Sequence, residues 1–116
     1  MHNFRELNIW KISKDLCKEI YSYTESFPKS EVYGLTSQLN RAIVSIPSNI
    51  AEGCGRETNK DLARFITIAL GSSYEVETQL IIAFELNYIK NTDFDILIAK
   101  VHQIQKMLYN FRKSLK

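Results

Sequence analysis

Glycine and proline are scarce in this chain, four of one and two of the other among 116 residues. That scarcity, with 45% hydrophobic and 24% charged side chains, suits a globular helical protein and argues against disorder. No apolar run is long. The longest, Leu80 to Phe84, falls far short of the ~20 residues that cross a bilayer. The opening stretch, Met1-His2-Asn3-Phe4-Arg5-Glu6, has no apolar signal core. A cytoplasmic protein with no membrane association is therefore expected. Two cysteines, Cys17 and Cys54, lack CxxC or zinc-like spacing and read as packing thiols in a reducing compartment.

Histidine is equally sparse. Carboxylate-bridged di-metal bundles need a Glu-x-x-His pair on each of two helices. His102 has Ala99 at that spacing and His2 sits beside the terminus. There is no HExxH. Some small helical ribonucleases separate an Arg from a His by four to six residues, but those positions before His102 hold Leu97, Ile96 and Asp95. No metal, cofactor or catalytic residue is expected.

What the chain does contain is helical periodicity. The first helix is expected over about Leu7 to Ser26, with Ile9, Ile12, Leu16, Ile20 and Tyr23 on one face, ended by Phe27-Pro28. Trp10, Cys17 and Tyr21 form a side stripe that reads as core or subunit interface. The second is expected over about Leu35 to Gly53, with Pro47 kinking it and Gly53 and Gly55 stopping it. Thr58 or Asn59 caps the third, and Asn91 or Thr92 caps a fourth that runs to the C-terminus. Short connections make neighbours antiparallel, so the fold class is all-α: one domain, residues 1–116, in an up-down-up-down four-helix bundle.

The third helix carries too much apolar surface for such a bundle. Leu62, Phe65, Ile66, Ala69, Val76 and Leu80 line a core side, Leu70, Tyr74 and Ile81 a second stripe, and Ile68, Ile82 and Leu86 the outside. Three apolar faces need three neighbours, and one of them is expected to be another subunit.

Two polar features invite a functional reading. Arg41, Ser45, Asn49 and Glu52 stack on one side of the second helix at spacings of four, four and three, facing Arg64 or Glu75 on the third. With no imidazole and no activated nucleophile, they read as a network fixing register rather than an enzyme site. Charge is also uneven. Residues 30–89 carry four basic and seven acidic side chains, residues 90–116 six basic and two acidic. Lys100, Lys106, Arg112 and Lys113 of the last helix are candidate phosphate contacts for RNA or DNA. A plain protein-interaction module that binds no nucleic acid is the alternative.

Beyond these patterns lies a resemblance. It rests on Phe4-x-x-Leu7-x-x-Trp10, Glu31-x-Tyr33-Gly34-Leu35-Thr36-Ser37-Gln38 and Arg41-Ala42. It continues through Ser45-Ile46-Pro47-Ser48-Asn49-Ile50-Ala51-Glu52-Gly53, Arg56, and Ala69-Leu70-Gly71-Ser72 with Glu75. The chain resembles the four-helix-bundle proteins encoded in intervening sequences of bacterial 23S ribosomal RNA genes, a superfamily shared with the accessory variability determinant of diversity-generating retroelements. The resemblance implies a homopentamer, and members from ribosomal RNA genes have no established activity. For the retroelement branch it also implies a basic exterior that binds nucleic acid beside a reverse transcriptase. The overall charge of only +2 favours the other branch.

Overall fold

A computed structural model of the protein describes residues 2–115, of which all regular elements are helical. Four α-helices follow in order: α1 (Asn8–Thr24), α2 (Leu35–Cys54), α3 (Asn59–Glu85) and α4 (Asn91–Ser114). Two 3-10 turns, Phe4–Glu6 and Lys29–Glu31, precede α1 and α2. The described chain measures 43 × 25 × 20 Å. This is the four-helix arrangement expected from the periodicity.

Boundaries follow the local chemistry. α1 stops two residues before the expected end because its last turn tightens. Ser26 N–H donates to Tyr23 O and Phe27 N–H to Thr24 O, delivering the chain to Pro28. Thr58 caps α3 as expected, its hydroxyl accepting from Asp61 N–H at 3.1 Å. α4 differs. Its N-cap is Lys90, without a side-chain bond, so Asn91 and Thr92 fall inside the first turn. There Asp93 supplies negative charge to the positive end of the helix dipole. Asn87, at φ 63°, closes α3 in the left-handed conformation while Tyr88 N–H reaches back to Ala83 O.

α2 and α3 form the tightest pair, and small residues make that possible. A Cβ placed on Gly53 would lie 2.8 Å from both Leu62 Cδ1 and Phe65 Cβ. α1 and α4 pack outside this pair and meet each other over the thinnest seam of the bundle. Ile20, Ile43, Ile46, Ile66, Leu80 and Ile104 are wholly buried between the helices. At roughly 1.5–3 kcal/mol for each such side chain, this core is the main source of stability.

α2 remains helical through Pro47. Proline at 47 cannot donate to the carbonyl of Ile43. The Cys17 thiol of α1 donates to that oxygen instead, at 3.4 Å. A helix-to-helix bond thus takes the place of a missing intrahelical one.

Candidate functional site

The basic residues of α4 do not share one face. At about 100° per residue, Lys106 and Lys113 project within about 20° of each other, while Arg112 lies about 100° round. Lys100 belongs to the α1–α4 seam. Its ammonium stands 2.6 and 2.7 Å from the two carboxylate oxygens of Glu19. Arg112 donates to Thr67 Oγ1 at 3.2 Å and lies over the Tyr109 ring at 5.6 Å. Lys106 and Lys113 are exposed. Of the four candidates, these two present their charge outward without a competing carboxylate among the described contacts.

The fold collects charge in a way no contiguous stretch displays. One end of the bundle gathers residues 2–15, 46–72 and 103–115, with nine basic and five acidic side chains. The other end gathers 16–45 and 73–102, with five basic and eight acidic. The chain is therefore polarised along its length, about +4 against −3 from these counts. At the basic end Arg56 and Arg64 both lie over Phe65, 4.8 and 4.7 Å from its centroid. Their carboxylate partners, Glu52 at 3.7 Å and Asp61 at 4.0 Å, are loose and solvent-exposed. Surface pairs of that kind contribute little.

The polar stripe of α2 divides in two. Asn49 Nδ2 donates to Ser45 O at 2.8 Å and Ser45 Oγ at 2.9 Å, and Ser45 Oγ pairs with Ser72 Oγ at 2.9 Å. Ser72 belongs to the Ala69-Leu70-Gly71-Ser72 stretch of the resemblance, but apolar spacing alone gives it no part in this polar cluster. Glu52 stands apart with Arg56 at the surface. Arg41 and Glu75 line an open cleft of about 480 Å³ between α2 and α3, with Tyr33, Ser37 and Gln79. Asn49 and Glu52 do not line it. Gln79 Oε1 is buried there without a hydrogen-bond partner, an expensive condition for an amide oxygen. Tyr33 stands at the cleft's edge, 94% exposed.

Apolar surface follows the expectation for the third helix. Ile68, Ile82 and Leu86 are exposed on its outside, and of the second stripe Tyr74 and Ile81 are exposed while Leu70 is buried in the core. Across α2, a second groove of about 480 Å³ runs between α1 and α2, lined largely by apolar surface from Tyr21, Phe27, Pro28 and Val32. Exposed apolar groups gathered in this way are candidate interaction surfaces.

The titratable groups are arranged for structure. Burial pushes the Cys17 thiol up to about 11, and raises Cys54 as well. Both stay as unreactive thiols. Glu77 bridges α3 to α4 by accepting from Gln105 Nε2 at 2.8 Å and facing His102 Nε2 at 3.0 Å. Those bonds hold its carboxyl below the usual range. Among the described residues no three His, Cys, Asp or Glu side chains stand close enough to hold a metal ion, and no helix is long and apolar enough to cross a membrane.

Comparison with known proteins gives a consistent picture. No curated protein matches the chain. A crystal structure from Bacteroides thetaiotaomicron VPI-5482, described as a protein with unknown function from the S23 ribosomal protein family, is similar with a TM-score of 0.82. The two chains are 21% identical, over 91% of this chain and 99% of that one. At that identity the likeness establishes the fold. The model of a family described as 23S rRNA-intervening sequence protein matches residues 5–110. Spanning nearly the whole described bundle, that match identifies the chain as a member of the 23S rRNA-intervening sequence protein family.

Proposed function

We propose that the protein is a non-enzymatic, self-assembling helical scaffold of the cytoplasm, a homopentamer of single-domain subunits that offers a basic surface to RNA or DNA. The observation that carries the assembly is the outer surface of α3, where Tyr74, Ile82 and Leu86 remain 54%, 41% and 48% exposed. A lone 116-residue chain gains nothing from wetting apolar residues on two sides of one helix. A closed ring covers such a face in every copy.

The nucleic-acid reading is supported by charge polarity. In a ring whose bundles stand parallel to the axis, every basic end lies on the same rim, so a modest local excess is multiplied by the number of copies. Lys106 and Lys113 extend that rim along α4, with Arg112 beside them; Lys100 contributes less because Glu19 holds it. The family's link to ribosomal RNA genes and the resemblance to retroelement accessory proteins agree with a nucleic acid, or a protein bound to one such as a reverse transcriptase, as partner.

Two measurements test this reading. Sedimentation at micromolar concentration should give one species heavier than the 13.5 kDa chain. Fluorescently labelled RNA should bind at low salt and weaken steeply as salt is raised. RNA that fails to bind at any salt removes the nucleic-acid half and leaves a protein-interaction scaffold, the reading favoured by the apolar α1–α2 groove.

A further inference from the structure

The polar cleft between α2 and α3 holds two opposite charges that do not meet. Ser45 against Ser72, and Gly53 against Leu62 and Phe65, set the two helices antiparallel and fix their register. Arg41 lies one turn before Ser45 on α2, and Glu75 about one turn after Ser72 on α3. The two side chains therefore stand at matching levels on facing walls of one cavity of about 480 Å³. They form no ion pair with each other, and neither has a hydrogen bond or ion pair with another described residue. The Ser37 hydroxyl, a further turn back along α2 in the same lining, is also without a partner among the described residues.

The cavity is braced where it closes. Asn49 Nδ2 donates to both oxygens of Ser45, so the serine that meets Ser72 is itself held. Ala42 lines the space with a single methyl group, which leaves room between the walls. Small-molecule sites occupy roughly 300–1,000 Å³, and this cleft lies within that range at about 480 Å³. Its lining is otherwise polar apart from one aromatic ring, that of Tyr33, which is 94% exposed.

The two charges select their ligand. An anion entering the cleft would be repelled by Glu75 and a cation by Arg41, and each mismatch costs binding energy. A molecule that carries both charges satisfies the two walls at once. The planar guanidinium can donate two parallel N–H bonds to a carboxylate, and a carboxylate accepts readily from an ammonium. We propose that the cleft binds a free aromatic α-amino acid, with its carboxylate on Arg41, its ammonium on Glu75 and its ring against Tyr33. All three groups come from one chain, so the site is complete within each copy.

The test titrates the full-length protein by ligand-observed NMR with L-phenylalanine, with hydrocinnamate, which lacks the ammonium, and with phenethylamine, which lacks the carboxylate. L-Phenylalanine should bind with a dissociation constant on the order of 1 mM, as suits a small ligand in an open cleft. Each single-charge probe should bind about tenfold more weakly. Arg41→Gln and Glu75→Gln change exposed positions, and circular dichroism verifies that each keeps the wild-type helix content. Glu75→Gln should erase the advantage of L-phenylalanine over hydrocinnamate, and Arg41→Gln its advantage over phenethylamine. That crosswise loss is one a merely structural role would not produce. Tyr33→Ala should remove the preference for L-phenylalanine over L-alanine. Failure of L-phenylalanine to bind, equal binding of the three probes, or a preference unmoved by the matching variant overturns the assignment.

Discussion

Cys17, Ile43 and Pro47 together show how one residue's defect becomes another's bond. Pro47 leaves the Ile43 carbonyl without its intrahelical donor, and the Cys17 thiol occupies that position at 3.4 Å. Cys17→Ala should therefore destabilise the fold by about 1–2 kcal/mol in urea unfolding, the cost of stranding a buried acceptor. In a Pro47→Ala background the new N–H reaches Ile43 itself, so the same cysteine change should cost measurably less. Additive effects in that double-mutant cycle would contradict the account. The proline was legible in the sequence, and so was its orphaned carbonyl. Its partner was not, because 26 residues separate the two along the chain and a lone cysteine reads as packing. Gly53 is similar: it could be read as a helix stop, yet its main constraint is the close approach of α3. Gly53→Ala should cost about 1–3 kcal/mol as an overpacking change.

At the scale of elements, the bundle is sewn together by a few polar clamps between helices. Glu31 accepts from Leu35 N–H at 3.1 Å, capping α2, and from the Tyr88 hydroxyl at 3.0 Å, tying that cap to the α3–α4 loop. The bond to Glu31 raises the Tyr88 phenol above its ordinary range. Glu77 performs the matching task between α3 and α4. Its folded-state carboxyl is held below the ordinary 4.5, so its contribution is fully present above that value and is lost as pH falls through the lowered one. Unfolding midpoints across the acid range should therefore decline less steeply for Glu77→Gln than for the wild type. Equal slopes would show that Glu77 contributes no such linkage. The four helices and their core faces were legible from apolar spacing alone, with ends misplaced by a residue or two where the last turn tightened or the cap moved to Lys90. The clamps were not legible, since Lys100 and Glu19 lie 81 residues apart and periodicity carries no information on partners.

As a whole molecule, the chain is a rod with a basic end, an acidic end and apolar surface along its flank. The excess on α3 could be read directly, because a helix with apolar residues on three sides has nowhere in a four-helix bundle to hide them. Charge polarity could not, because it sums residues from three separate stretches. It alters the expectation for the α4 lysines. Lys106→Ala with Lys113→Ala should weaken RNA binding and lower its salt dependence by about two counterions. Lys100→Ala should leave that slope nearly unchanged and instead cost stability of up to about 1 kcal/mol through the half-exposed Glu19 pair. Identical binding losses in both variants would mean that the lysines act by number and not by placement.

The claim beneath all of this is that the chain does not stand alone in solution. Native mass spectrometry of the wild-type protein at micromolar concentration counts the copies directly. The account predicts a single closed species of five 13.5 kDa chains, whereas a population consisting of free single chains would contradict it.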